Sequence, residues 1–198
     1  YSCIFCFRAI GNKVRYKHPN KIVDEIQDGY ENYDMKNFFL TGGGTFPLER
    51  THGLAVCYEI IRRGLKIKWE TAVRVDTLDE ELLAVMKKSG CEYVGLGIES
   101  GNKYLLKLCK KNITLGQIEK VLKLCKKYRI DTELNLILGL PYETRESLLA
   151  TRDFALMMEK YASRVSFSIL TPFPGTEVYD AALNQQLGLK IKTKDWRM

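Results

Sequence analysis

The chain has 198 residues, of which 45% are hydrophobic, so it suits one domain with a buried core. Lysine and arginine outnumber aspartate and glutamate by 31 to 24, a formal net charge of +7. That charge suits an anionic partner, but the pairs Lys87-Lys88, Lys110-Lys111 and Lys126-Lys127 are not interleaved with aromatic residues. We interpret these lysines as solvated helix faces, which argues against nucleic acid as the partner.

Membrane and secretion signals are missing from the sequence as it stands. No run approaches the roughly 18 apolar residues of a membrane span, and no signal peptide precedes the first motif. The chain does not begin with Met, so we expect further residues before Tyr1. Its six cysteines lie in a chain with regular helix and strand patterning, which does not suit a secreted disulfide scaffold. We therefore predict a reducing, cytoplasmic location.

The predicted elements alternate along the chain. A first helix over residues 20–33 follows Pro19. Short apolar runs rich in β-branched and aromatic residues then predict five strands at residues 37–41, 66–73, 92–98, 131–138 and 164–170. Their starts lie about 25 to 40 residues apart, the length of a strand plus a crossover helix. Helical spacing between strands predicts two apolar stripes: Leu82, Leu83 and Met86, and Ile118, Val121, Leu122 and Cys125.

Local signals mark the ends of these helices. Capping-box spacing predicts helix starts, and glycine predicts helix ends. The residues concerned are Thr77 with Glu80, Thr114 with Gln117, Gly64 and Gly90.

Strand–helix alternation predicts an α/β protein with a parallel sheet and helices outside it. Because crossovers are right-handed, such a sheet either opens into a doubly wound fold or curls into a barrel. The first helix lacks a preceding strand, so we expect one before Tyr1, which makes six βα units against the eight of a closed barrel. We assign residues 1–183 to this core and residues 184–198 to a C-terminal linker or extension.

Each predicted strand is followed by glycines, a proline or charged residues. In parallel α/β folds, ligands bind at the carboxyl ends of the strands. The residues at these ends are Gly42-Gly43-Gly44-Thr45, Arg74 and Asp76, Glu99-Ser100-Gly101, Gly139-Leu140-Pro141, and Pro172-Phe173-Pro174-Gly175-Thr176. Their number and chemistry favour a binding site there.

Cys3 and Cys6 lie in the loop that would follow the expected first strand. Two thiolates at this spacing can hold one metal centre. A structural zinc site needs a second pair, and the other four cysteines form none. A thioredoxin-like motif lies at a helix N-terminus, whereas the predicted helix begins more than ten residues later.

At this point the sequence resembles the core of the radical S-adenosylmethionine (SAM) enzymes. Cys3 and Cys6, with Phe5 between them, resemble the last two cysteines of the family's C-x3-C-x-aromatic-C motif. The first cysteine would lie two residues before Tyr1. Further motifs match in order: Gly42-Gly43-Gly44-Thr45, Gly97-Ile98-Glu99-Ser100-Gly101, Gly139-Leu140-Pro141-x-Glu143-Thr144 with Tyr142 in place of the usual Gly, and Pro172–Thr176.

Within the superfamily, the chain most resembles the subgroup that often carries a cobalamin-binding domain before its radical SAM core. That subgroup commonly has two aspartates where this chain has Gly43-Gly44. Glycines at these positions are closer to the pattern of coproporphyrinogen dehydrogenase-like members.

The resemblance implies a partial (β/α)6 barrel that binds a [4Fe–4S] cluster and SAM. It also implies reductive SAM cleavage to a 5′-deoxyadenosyl radical, a reductant such as flavodoxin or ferredoxin, and cobalamin in a further N-terminal domain. An oxidoreductase or transferase of this kind acts on a substrate that the sequence does not identify, by C-methylation, cyclisation or related chemistry. With two of the three cluster cysteines, this chain alone is expected to be inactive.

The resemblance also assigns roles to individual residues. Cys3 and Cys6 are expected to bind the cluster, and Arg74 to bind the SAM carboxylate. The adenine is expected to be flanked by Phe5, Ile137 and Leu138. The methionine end of SAM is expected to lie close to Gly42, Gly43 and Gly44, and the ribose hydroxyls or the amine to contact Glu99 and Ser100.

Alternatives stay open for these assignments. Phe5 is also compatible with core packing, and Gly42–Gly44 with a tight turn. Arg74 is also compatible with an ion pair to Asp76 or Glu70, and Glu99 with an ion pair to a lysine. Cys57, Cys91, Cys109 and Cys125 are interpreted as small core hydrophobes. The alternative functions are a cluster-less binding module of the same fold, or a basic nucleic-acid-binding protein with a zinc CxxC.

Overall fold

A computed structural model describes residues 2–7, 11, 13–41 and 44–191 of the chain. Helices and strands alternate through most of it. The elements are α1 (Pro19–Asn32), β1 (Asn37–Phe39), α2 (Arg50–Arg62), β2 (Lys68–Val73), α3 (Glu80–Lys88), β3 (Cys91–Glu99), α4 (Lys103–Leu108), α5 (Leu115–Lys127), β4 (Asp131–Leu138), α6 (Arg145–Met158), β5 (Arg164–Ile169) and α7 (Glu177–Leu183), with a 3-10 turn at Val75–Thr77 between β2 and α3.

The five strands form one parallel sheet in the order β1-β2-β3-β4-β5. Right-handed crossovers between strands in sequential order place every helix on the same face, whereas a doubly wound sheet requires the order to reverse. The sheet therefore has the topology of a barrel, and among the described residues β1 and β5 do not pair to close it. This confirms the partial-barrel prediction, with five of the expected six strands inside the chain.

The two faces of the sheet differ in chemistry because successive side chains alternate between them. The convex face, under the helices, is apolar and belongs to one large core that includes Trp69, Val94, Leu96, Leu134 and Leu136, each at most 1% exposed. The concave face carries polar side chains that are partly open to solvent, among them Glu70, Tyr93, Glu133, Asn135 and Ser166. A ligand inside the barrel would meet this polar face.

Most helix-end predictions are confirmed. Thr114 caps α5 in a complete capping box with Gln117, and Gly64 and Gly90 follow α2 and α3 with φ of +67° and +101°. The predicted capping box at Thr77 is wrong. Thr77 is instead the last residue of the 3-10 turn, where its hydroxyl donates to the Arg74 carbonyl. Asp79 caps α3 by accepting the Leu82 N–H.

Two further predictions can be placed. Cys57, Cys91, Cys109 and Cys125 are fully buried free thiols, as expected of core residues. Residues 184–191, assigned to the linker, pack back on the core, since Tyr142 N–H donates to the Leu187 carbonyl at 3.1 Å and Leu189 joins an apolar cluster. Residues 192–198 lie outside the described residues. In the described ranges no helix has the length and apolarity needed to cross a membrane.

Candidate functional site

The loop that carries Cys3 and Cys6 lies at the carboxyl end of the sheet. The Ile4 N–H donates to the Cys109 carbonyl at 3.3 Å, and the Ile4 carbonyl accepts the Val178 N–H at 3.2 Å. These bonds tie the loop to the end of α4 and the start of α7. Ile4 is buried in a small apolar cluster with Leu105, Cys109, Leu140 and Val178, so the loop has its own anchor.

Cys3 is buried and Cys6 is exposed, and the two thiols lie within hydrogen-bonding reach of each other. The hydrogen bond from the neighbouring Cys6 thiol and the cations Lys111 and Arg74 together lower the pKa of Cys3 to about 6, against the opposing effect of burial. The hydrogen bond that Cys6 donates to Cys3 in turn raises the pKa of Cys6. Because thiolates rather than thiols bind metals, this electropositive surrounding suits metal ligation at Cys3.

Arg74, just after β2, connects the cysteine loop to the strand ends. Its Nη1 lies 3.5 Å from Cys3 Sγ, and its Nη2 donates to the Lys111 carbonyl at 2.8 Å. Two further bonds of 2.9 Å join it to the Asp76 carboxylate. This is the ion pair that the sequence left as an alternative. With these partners, Arg74 positions Cys3 and Lys111, and its predicted contact with the SAM carboxylate stays a prediction.

Glu99 and Lys111 form a buried ion pair at the end of β3. Lys111 Nζ lies 2.7 Å from Glu99 Oε1, and the two side chains are 5% and 10% exposed. The β3–β4 register shifts between Gly97 and Glu99, and Glu99 has a φ of +70°. A bulge and a left-handed residue of this kind redirect a side chain, and such strain is concentrated at functional sites.

Gly97 makes room for this ion pair. A Cβ there would lie 2.8 Å from Glu99 Oε1 and 3.0 Å from Lys111 Nζ. The pair therefore lies over Gly97, on the concave face of β3. A larger residue at this position of the Gly97–Gly101 motif would have to displace the ends of these two side chains.

Lys111 is the site residue that sequence reasoning missed. We interpreted Lys110-Lys111 as a solvated pair on a helix face, and this is wrong for Lys111, which is buried. The two residues follow α4 in a tight loop where Lys110 and Asn112 both have a φ of +54°, so consecutive side chains point in different directions. Only the loss of helical periodicity after Leu108 signalled this difference in the sequence.

Other predicted site residues are used within the protein. The Ser100 side chain is fully buried and its hydroxyl bonds Thr151 Oγ1 at 2.9 Å and the Asn102 N–H at 3.0 Å, so it faces α6. Ile137 joins the apolar cluster of the cysteine loop. Leu138, the last residue of β4, points to the opposite face of the strand because strand residues alternate, and its predicted adenine contact stays a prediction.

The remaining predictions concern Phe5 and the glycines. Phe5 is partly buried against the same small cluster, in agreement with the core-packing alternative. Gly44 has a φ of +109°, a conformation that favours glycine, and its N–H donates to Thr41 Oγ1 at 3.2 Å. Gly42 and Gly43 lie outside the described residues.

The residues present fit an iron–sulfur cluster in their chemistry. Cys3 and Cys6 border a cavity of about 630 Å³ that also reaches Phe7 and Gly175. Within the described ranges, no three His, Cys, Asp or Glu side chains are grouped as a complete metal site.

Comparison with known proteins identifies the family. The chain is 32% identical to an uncharacterized methyltransferase from Pyrococcus horikoshii, over 100% of this chain and 42% of that protein. It is 29% identical to an anaerobic magnesium-protoporphyrin IX monomethyl ester cyclase from Rubrivivax gelatinosus, over 99% of this chain and 34% of that protein. The chain thus spans less than half the length of these relatives.

The fold is also found in a solved structure. The radical S-adenosylmethionine methyltransferase TsrM from Kitasatospora setae, with cobalamin and a [4Fe-4S] cluster bound, matches with a TM-score of 0.85 and 24% identity, over 93% of this chain and 37% of that one. The family model of the Radical SAM superfamily matches residues 1–155. Since this match covers well over half of the 198 residues, the chain belongs to the radical SAM superfamily, a superfamily of enzymes.

Proposed function

We propose that the protein containing this chain binds a [4Fe–4S] cluster through Cys3, Cys6 and a third cysteine upstream of Tyr1, and binds SAM beside it. The observation that carries this proposal is the convergence of Cys3, Arg74 and the Glu99–Lys111 pair at one end of the sheet. A cluster and SAM bound there would supply a 5′-deoxyadenosyl radical or an activated methyl group.

The Glu99–Lys111 pair suits the methionine end of SAM, which carries an ammonium and a carboxylate. Lys111 would bind the carboxylate of SAM in place of the Glu99 carboxylate. Glu99 would bind the ammonium of SAM in place of the Lys111 ammonium. Lys111 thus joins Arg74 as a candidate ligand of the SAM carboxylate. The burial of both side chains supports the assignment, because a desolvated pair binds an opposite charge more strongly than an exposed one.

We further propose that the reaction is a methyl transfer or a cyclisation. The names of the two relatives, a methyltransferase and a cyclase, support this choice. The TsrM structure holds cobalamin, which supports a cobalamin-binding domain outside this chain. An external reductant such as flavodoxin or ferredoxin belongs to the same proposal, because a [4Fe–4S] cluster must be reduced before SAM is cleaved.

The decisive experiment is anaerobic iron–sulfide reconstitution of the intact protein. We expect the absorption and electron paramagnetic resonance spectra of a [4Fe–4S] cluster and, with a chemical reductant, release of 5′-deoxyadenosine or S-adenosylhomocysteine from SAM. Cys6→Ala should abolish the cluster, whereas Cys57→Ala, at a fully buried cysteine of α2, should retain it. A folded, cluster-loaded protein that yields neither product would refute SAM cleavage, and a folded protein that takes up no cluster would favour the cluster-less module.

A further inference from the structure

Three side chains on the concave face form a hydrogen-bonded cluster across neighbouring strands. The Tyr93 hydroxyl on β3 and the Ser166 hydroxyl on β5 both donate to the Glu133 carboxylate on β4, one to each oxygen. All three side chains are half-buried and open to the interior of the barrel. The cysteine loop and the Glu99–Lys111 pair do not use them.

The positions of the protons in this cluster leave hydrogen-bond acceptors open to the interior of the barrel. The hydrogen bonds from Ser166 and Tyr93 lower the pKa of Glu133, while burial and the Glu133 carboxylate raise the pKa of Tyr93. At neutral pH the carboxylate is therefore ionised and both hydroxyl protons point toward it. The lone pairs of Tyr93, Ser166 and Glu133 that remain can accept further hydrogen bonds, but the cluster has no proton left to donate.

The cluster lies one small molecule away from the proposed SAM site. Gly97, over which the Glu99–Lys111 pair lies, pairs with Asn135, and Asn135 pairs with Ser166. Neighbouring strands are about 4.8 Å apart, so the backbones of Gly97 and Ser166 are about 10 Å apart. A group held by the cluster is thus within reach of a cofactor bound at the Glu99–Lys111 pair.

Space for a ligand exists beside the cluster. A cavity of about 580 Å³ opens next to Tyr93 at the amino ends of β1, β2 and β3, and its lining includes Glu70 and the exposed ring of Phe39. This volume is in the range of small-molecule sites, and the two aromatic rings offer apolar contact for a flat ligand.

We propose that Glu133, Tyr93 and Ser166 form the substrate subsite, and that this subsite takes a charged group rich in N–H donors, such as an ammonium. The inference rests on the proposed function, because a substrate is expected here only if SAM binds at Glu99 and Lys111. A carboxylate or phosphate would face acceptors alone and leave them unpaired, which sites of this kind reject strongly. Arg164, the first residue of β5, partly balances the charge of Glu133.

The test uses two probes with the same ring and opposite charge. Tryptamine carries an ammonium and indole-3-propionate a carboxylate. Titration calorimetry on the intact protein should show tryptamine binding at least about tenfold more tightly, the factor expected of a charge-assisted hydrogen bond. Equal affinity, a preference for the carboxylate, or no binding of either probe at millimolar concentration would overturn the inference.

Variants separate a binding role from a structural one. Glu133→Gln should remove the preference for tryptamine, whereas Tyr93→Phe and Ser166→Ala each free a lone pair of Glu133 and should keep or increase it. If the three side chains had only a structural role, all three variants would weaken the preference for tryptamine alike. Glu119→Gln, at an exposed carboxylate of α5 paired with Lys123, is the matched control and should bind as the wild type does.

Circular dichroism establishes which variants fold. If Glu133→Gln fails to fold, the wild-type preference and its retention in Ser166→Ala decide the question, and loss of the preference in Ser166→Ala refutes the inference. Formation of the [4Fe–4S] cluster and cleavage of SAM are measured separately from probe binding. An active enzyme without probe preference disproves only the subsite, whereas missing SAM chemistry with an intact preference disproves only the proposed function.

Discussion

Lys110 and Lys111 are consecutive in the sequence but have opposite environments. Lys110 is 48% exposed and pairs with Glu177, while Lys111 is 5% exposed and pairs with Glu99. A buried lysine is tolerated because its partner is present and because both groups are hydrogen-bonded. The two neighbours therefore provide a matched comparison of a surface and a buried ion pair.

We predict that Lys111→Met destabilises the protein by about 3 kcal/mol or more, because it leaves the Glu99 carboxylate buried without its partner. Lys110→Met should change the free energy of unfolding by no more than about 0.5 kcal/mol. Urea unfolding measures both. SAM titration of the folded variants should show loss of affinity only for Lys111→Met. Equal unfolding midpoints for the two variants would contradict the buried pair.

Glu59, on α2, provides a residue-scale test of pH dependence. Its carboxylate bonds Arg62 and Arg63, and these bonds lower its pKa from 4.5 to about 2. A lowered pKa stabilises the folded state above the unfolded value, and this stabilisation is lost as pH falls from about 4.5 through 2. Glu59→Gln should thus be less stable than the wild type at pH 7, by about 1 kcal/mol.

The expected signature is a difference in unfolding free energy that narrows as pH falls below about 4.5. Thermal or urea unfolding across this range measures it. Glu159→Gln, at an exposed carboxylate after α6, is the control and should stay within about 0.5 kcal/mol of the wild type at each pH. A pH-independent difference for Glu59→Gln would show that the effect arises from packing.

At the scale of the element, two helix ends differ in what their glycines must satisfy. Gly64 after α2 and Gly90 after α3 both have positive φ. A Cβ at Gly64 meets open space, whereas a Cβ at Gly90 would lie 2.1 Å from the Ile67 carbonyl oxygen, where the chain enters β2. The same sequence signal thus marks a turn in one case and a turn plus a close backbone contact in the other.

We predict that Gly64→Ala costs about 1 to 2 kcal/mol, the strain of a left-handed alanine. Gly90→Ala should cost clearly more, since Ile67 or β3 must also move. The difference between the two unfolding free energies measures the close contact alone. Similar values for both variants would mean that the backbone at Ile67 relaxes without cost.

At the scale of the whole molecule, the apolar residues form two clusters of unequal size. The large core extends from Val23 on α1 to Val165 on β5, while a small cluster holds the cysteine loop against α4 and α7. Local stability follows the amount of buried apolar surface. The cysteine loop is therefore expected to open independently of the sheet.

Hydrogen exchange on the intact protein tests this division. The amides of Ile4 and Val178 should exchange through a lower-energy opening than those of Leu96 and Leu134, which lie in the large core. Reconstitution of the [4Fe–4S] cluster should slow hydrogen exchange in the cysteine loop and α7, because a bound ligand stabilises only the folded form. The same exchange free energy at all four amides would indicate a single cooperative unit.

Local patterns predicted most of the fold. The β4 strand at Asp131–Leu138 and the capping box at Thr114 follow from residue type and spacing alone. The 3-10 turn before α3 escaped detection because Thr77 with Glu80 has the right spacing, and only the path of the chain after Arg74 excludes that cap. Periodicity describes which face a residue occupies, but it does not describe how one element leads into the next.

The sequence by itself determined the family, the parallel order of strands and helices, and the pair Cys3 and Cys6 as candidate ligands, because these depend on local spacing and on motif order. Only the tertiary structure decided that Lys111 is buried against Glu99, that Arg74 bonds Asp76, and that Ser100 faces α6. Side-chain partners distant along the chain are fixed by the packing of whole elements. That packing follows from the bulge at Glu99 and the loop after α4, where helical and strand periodicity no longer hold.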